Sequence, residues 1–95
     1  MPAVQLVVGK GYPLEVPIGC TVRTLKLELA KGIAGEKISG AARLTFSCEE
    51  GGQQLEEEAV LHVQRGRIRV KGPGNVAGAL AAALARHGGA ARGLE

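Results

Sequence analysis

Residues 21–33 read TVRTLKLELAKGI, and this stretch decides the fold. Val22, Leu25 and Leu29 recur at i, i+3 and i+7, and Ile33 extends the stripe by four positions. Arg23, Lys26, Glu28 and Lys31 take half of the places between. That is the period of a helix with one buried face. The Thr21 hydroxyl suits the N-cap, because it can accept a free N–H of the first turn. Gly32 suits the stop, because it takes a left-handed conformation without a Cβ penalty. No other stretch before residue 72 shows the period so clearly. The pattern predicts one helix clasped by one sheet.

On the N-terminal side, Ala3 to Val8 alternates as a strand with Val4, Leu6 and Val8 on one face. Gly9-Lys10-Gly11 predicts a tight turn. Tyr12 to Ile18 returns as a second strand with Leu14 and Val16 inward. Pro13 and Pro17 remove ladder donors, which puts part of this strand at a sheet edge. On the C-terminal side, residues 34–42 read as a loop and Arg43 to Ser47 as a third strand with Leu44 and Phe46 inward. Glu49 to Gln54 is a polar loop around Gly51-Gly52. Leu55 to Leu61 stays open between a short strand with a turn and a helical segment. Gln64 to Lys71 alternates as a last strand, with Ile68 and Val70 on one face and Arg65, Arg67, Arg69 and Lys71 on the other. Val76 to His87, rich in Ala and Leu, predicts a second helix. Asn75 would be its N-cap, Arg86 and His87 would complement its dipole, and Gly88 would stop it. The organisation is one domain over residues 1–72 with an extension over 73–95.

With one Phe, one Tyr and no Trp, the core must come from Val, Leu and Ile and will be small. A net charge of +3 is mildly basic and does not by itself indicate nucleic acid. Cys20 and Cys48 fit neither a disulfide framework nor a zinc site, and read as free thiols of a reducing compartment. Cys20 lies just before the helix start, where a thiolate is favoured. His62 and His87 are isolated. Glu49, Glu50, Glu56, Glu57 and Glu58 lack the spacing of metal ligands and read as a solvated acidic end, opposite in sign to the last strand. No signal peptide is recognisable, and the longest apolar run, Val76 to Ala85, is short of the roughly 20 residues a membrane span needs. These features predict a cytoplasmic or nuclear protein with no enzymatic activity, cofactor, metal, membrane partner or small-molecule substrate.

The ordered pieces Gln5-Leu6-Val7-Val8, Leu14-Glu15-Val16, Thr21-Val22, Lys26, Gly32-Ile33, Arg43-Leu44-Thr45-Phe46 and Gln54-Leu55-Glu56 resemble ubiquitin, over roughly residues 4 to 71. Leu55 to Leu61, LEEEAVL, resembles the ubiquitin-like half of ubiquitin-like/ribosomal fusion proteins. Gly74 to Ala81, GNVAGALA, resembles the segment that follows the modifier there. The resemblance implies an α+β, ubiquitin-like β-grasp fold, a mixed sheet of four or five strands over one helix, here with an appended Ala-rich helix. Against ubiquitin, the first hairpin is shorter, the loops at 34–42 and 48–53 are longer, and the region between Leu61 and Ile68 is shorter.

Three functional readings follow from the resemblance. The isoleucine that centres ubiquitin's apolar patch corresponds to Thr45, and its outward neighbours on the last strand to Arg69 and Lys71. With Arg43 and Arg67 these make a basic strip, suited to an acidic segment or a phosphate backbone. The bland alternative is a solvated sheet face. The first reading is therefore a non-catalytic module that binds a protein or ribonucleoprotein with an acidic surface, RNA backbone contact included. The second is a conjugatable modifier matured at Gly88-Gly89. Gly72-Pro73-Gly74 stands where a modifier's diglycine belongs, and Gly88 reads first as a helix stop. The third is a structural subunit whose tail helix is buried in a larger assembly such as a ribosome. Val70-Lys71-Gly72-Pro73-Gly74 resembles a strand-to-helix turn in a universal small-subunit ribosomal protein. Gly72, Gly74 and Asn75 would hold a phosphate at the helix start, although the turn reads first as an ordinary connection.

Overall fold

In the computed structural model, which describes residues 2–32 and 35–86, the described residues form four strands in one mixed sheet, covered on one side by two helices. The strands are β1 (Ala3–Val8), β2 (Lys10–Glu15), β3 (Thr45–Cys48) and β4 (Ile68–Lys71); the helices are α1 (Val22–Lys31) and α2 (Gly74–Arg86). The spatial order is β2-β1-β4-β3. β1 is antiparallel to β2 and parallel to β4, and β3 is antiparallel to β4. The expected α+β class with a mixed sheet is what the chain adopts. Ile33, His87 and the Gly88-Gly89 pair lie outside the described residues.

Period-two alternation places Val4, Leu6, Val8, Tyr12, Leu14, Phe46, Ile68 and Val70 on one face, all buried. Leu6 stands at its middle, opposite Tyr12 on one side and Ile68 on the other. The chain reverses at Gly9 alone, so Lys10 and Gly11 belong to β2 and not to the expected three-residue turn. β2 also ends at Glu15: Val16 stays buried, but Ile18 is 81% exposed beyond Pro17. The bond from Val16 N–H to the Pro2 carbonyl, 2.9 Å, fixes which pairs of the hairpin are hydrogen-bonded. By that parity Pro13 turns its missing donor to the free edge of the sheet, where it costs no ladder bond. The outer edge of β3 is covered instead. Cys48 N–H donates to Gln53 O at 2.8 Å and Leu55 N–H to Phe46 O at 2.7 Å.

α1 buries Val22, Leu25 and Leu29, the predicted stripe. Thr21 caps it, its hydroxyl accepting from Thr24 N–H at 3.2 Å. Two further N–H groups of the first turn are satisfied from far along the chain: Val22 donates to Ala59 O and Arg23 to Glu57 O. Leu61 N–H returns a bond to Cys20 O at 2.9 Å. Leu55 to Leu61 is therefore neither strand nor helix but an irregular segment strapped across the start of α1. At the other end Gly32 does cap the helix, its N–H on Glu28 O, but with φ 125° and ψ 140° and not in the left-handed helical region. That conformation is also reserved to glycine, and a Cβ there would press on the Glu36 carbonyl at 3.3 Å.

Three other boundaries differ from expectation. Residues 41–43 form a 3-10 turn, so β3 starts at Thr45 and Arg43 is not in the strand. β4 starts at Ile68, leaving Arg65 in the preceding turns. The second helix starts at Gly74, with Pro73 O accepting from both Val76 and Ala77 N–H at 2.9 Å. Asn75 is thus inside the helix and not its cap, because the preceding proline is already shaped for a helix start and its carbonyl takes the first bonds.

α2 buries Val76, Leu80, Ala83 and Leu84 in the same core as the sheet and α1. It lies against β1, and its small neighbours Ala77 and Ala81 allow the close approach. Arg86 forms a two-armed ion pair with Glu36, one arm 2.7 Å long from Nε. Truncating Leu25 or Leu80 to Ala is expected to cost about 2–5 kcal/mol, measured by urea denaturation. α2 amides are expected to exchange as slowly as those of β1; rapid exchange over residues 76–84 would contradict its packing.

Candidate functional site

Among the described residues nothing covers the face of the sheet turned away from the helices. Across its centre the registers align Gly11, Val7, Arg69 and Ser47, one residue from each strand in turn. The next pair along is Lys71 with Thr45, whose hydroxyl donates to Lys71 O at 3.3 Å. Arg67 precedes them on the same side of the chain. Outward residues of a strand repeat about every 6.7 Å, twice the rise per residue, so Arg67, Arg69 and Lys71 form a row of cations along β4. Thr45 lies beside this row, as the sequence predicts. Arg43 does not: the 3-10 turn carries it off the strand, though it stays exposed.

One carboxylate belongs to the row and was not foreseen. Glu49 N–H donates to Arg67 O at 3.0 Å, which extends the β3–β4 ladder by one pair. Its side chain meets Arg67 through Nε at 2.6 Å and Nη2 at 3.0 Å, and Arg69 at 3.5 Å. Glu49 is therefore not part of a solvated acidic end but a partner of the basic strip. The antiparallel register that puts Ser47 opposite Arg69 also puts Glu49 opposite Arg67. Only knowledge of that register would have revealed the pair in the sequence. Glu57 and Glu58 are also engaged, with Lys26 at 3.1 Å and Arg23 at 2.5 Å, holding the strap to α1. Lys71 and Arg43 make no ion pair among the described residues.

The open face has no aromatic side chain. The single tyrosine and single phenylalanine both point into the core, Tyr12 at 8% and Phe46 at 1% exposure. A base would find no aromatic ring there to stack on.

The turn at 72–75 is shaped by packing. A Cβ on Gly72 would come within 2.9 Å of Leu44 Cδ2. Of the first N–H groups of α2, those of Val76 and Ala77 are taken by Pro73 O.

Cys20 is 4% exposed, and burial, with the Glu28 carboxylate adding to it, pushes its thiol pKa up. This reverses the expected thiolate: the proximity of a helix start is outweighed by loss of water. His62 is not isolated; its Nδ1 accepts from Gly19 N–H at 3.3 Å. An open cleft of about 520 Å³ beside β3 is lined by Cys48, Gln54, Leu55, Glu56 and Gln64 among others. There the Cys48 thiol donates to Gln64 Oε1 at 3.5 Å, while Gln64 Nε2 donates to Val60 O at 2.9 Å. An amide, not a base, faces the thiol. Among the described residues no three His, Cys, Asp or Glu side chains are grouped to hold a metal, and no helix is long and apolar enough to cross a membrane.

Comparison of the chain with protein-family models, with curated proteins and with solved structures gives no match.

Three outcomes test this geometry. Iodoacetamide is expected to alkylate Cys48 well before Cys20 in the folded protein. The raised Cys20 pKa also sets a pH dependence. Above the ordinary thiol value of 9.0 the unfolded chain releases its proton first, so stability is intact below that value and falls as pH rises through the folded pKa. Cys20→Ala is expected to remove that alkaline slope in denaturation measured from pH 8 to 11. Gly72→Ala is expected to lower stability by about 1–3 kcal/mol through its clash with Leu44.

Proposed function

We propose that the chain is a non-catalytic, ubiquitin-like β-grasp module that takes an acidic segment of a partner protein on its open sheet face. The strand order, with β1 parallel to β4 between two antiparallel neighbours and α1 across one side, supports the β-grasp assignment. The observation that carries the function is the row Arg67, Arg69 and Lys71 on a face without aromatic side chains. Extended peptide repeats its side chains on one side with the same period as the row. Carboxylates at alternate positions of an acidic segment match the cations one for one. A ribonucleoprotein partner fits the charge as well, but the lack of an aromatic platform favours protein over RNA.

The docked helix weighs against conjugation. α2 is packed to Arg86, and Arg86 is tied to Glu36, so only His87 separates the anchored helix from Gly88. An activating enzyme that takes an extended run of residues ahead of the diglycine would have to draw that run from α2. The same burial removes the need for an outside partner to cover Val76, Leu80 and Leu84.

An octaglutamate peptide and an oligouridylate of equal charge serve as probes. The peptide is expected to bind more tightly, and changing Arg67, Arg69 and Lys71 together to Gln is expected to abolish binding. Tighter binding of the oligonucleotide, with its salt dependence reduced by about one unit for each cation removed, would favour the ribonucleoprotein reading. Deleting Gly88-Gly89 is expected to leave the pattern of covalent adducts of an epitope-tagged chain unchanged.

A further inference from the structure

We propose that Glu49 is the internal occupant of this binding face, and that an acidic side chain of the partner replaces it in the fork of Arg67 and Arg69. The inference rests on the reading of the sheet face as a site for an acidic segment.

The Glu49 carboxylate already shows what the fork accepts. Both oxygens are used: Oε2 on Arg67 Nε at 2.6 Å, and Oε1 on Arg67 Nη2 at 3.0 Å and Arg69 Nη2 at 3.5 Å. This is the two-pronged geometry by which arginine recognises carboxylate. With Glu49 in place the row presents three cations against one anion, and the two arginines are committed to it.

The contact is built to be exchangeable. The backbone of Glu49 is held by its N–H bond to Arg67 O, so its side chain can leave without disturbing the ladder. The carboxylate is 26% exposed and both arginine side chains are about half exposed, so an incoming carboxylate reaches them from solvent. Ion pairs of that exposure are weak, and displacing one costs little. A recess of about 270 Å³ lined by Glu49, Glu50, Gly66 and Arg67 adjoins the pair and gives the displaced side chain room. The partner must then supply at least one carboxylate at the arginine fork, with Lys71, which has no ion pair among the described residues, beside it for a second. A neutral segment has nothing to exchange for Glu49, so the internal contact biases the face toward acidic partners.

Glu49→Gln keeps the size of the side chain and the backbone bond and removes the competing charge. It is expected to raise the affinity for octaglutamate roughly twofold to fivefold, the worth of one exposed ion pair. The gain is expected to disappear in an Arg67→Gln, Arg69→Gln background, and octaglutamine is expected to bind neither protein. Thermal melting of Glu49→Gln close to that of the unsubstituted chain shows that the fold is intact. Unchanged or lower octaglutamate affinity in Glu49→Gln overturns the role of Glu49, even where the Arg67, Arg69 and Lys71 triple change still abolishes binding and so sustains the face as the site. A gain that survives loss of both arginines is a general effect of charge and also overturns it. A gain for oligouridylate alone overturns the choice of an acidic protein segment. Absence of octaglutamate binding in both proteins removes the sheet-face reading and this inference together.

Discussion

The inward face of the sheet must be covered, and the chain has little bulk with which to cover it. Only Tyr12 and Phe46 are aromatic, and the rest of the face is Val, Leu and Ile. A ten-residue helix with three buried side chains does not span four strands. α2 completes the cover, and its alanines let it sit close on β1 where larger side chains would hold it off. Among the described residues most of the apolar side chains are thereby used up on the core, with Ile18, Leu27 and Val63 left exposed. The other side of the sheet is polar and charged. The core's shortage of large residues thus leads to the character of the candidate site, because the two aromatic rings the chain possesses are both needed inside.

Local pattern made much of the fold legible. The α1 stripe, its Thr21 cap, the inward alternation of β1 and β4 and the edge position of Pro13 all follow from periods and backbone restrictions within a few residues. Boundaries failed where a local preference met a stronger neighbour. Asn75 is a good cap, but Pro73 two residues earlier offers its carbonyl first. Arg43 alternates correctly with Thr45, but the 3-10 turn before Leu44 takes it out of the strand. Cys20 sits at a helix start, but burial decides its ionisation. The segment from Leu55 to Leu61 has no period at all, because its shape is imposed by backbone bonds to Cys20, Val22 and Arg23.

The candidate site was legible as a row of charges and illegible as an arrangement. Arg67, Arg69 and Lys71 alternate in sequence, and a strand makes them neighbours. Glu49 stands apart from them across a turn, a strap and two further turns. No spacing rule joins it to Arg67; the pairing of β3 with β4 does. The sign of the face could therefore be read, but not the fact that one of its anions is already in place.

The parallel pairing of Leu6 with Ile68 has a consequence for how the chain comes off the ribosome. Of the described elements the N-terminal hairpin emerges first, and the strand that flanks β1 and the helix that lies on it emerge last. Until residues 68–86 appear, the apolar faces of β1, β2 and α1 can only bury one another in part. Closing the sheet then requires contacts between distant parts of the chain, which form slowly. Synthesis that pauses before β4 would leave a sticky, half-covered sheet for chaperones to shield, and β4 and α2 would act together as the step that commits these elements to their folded state.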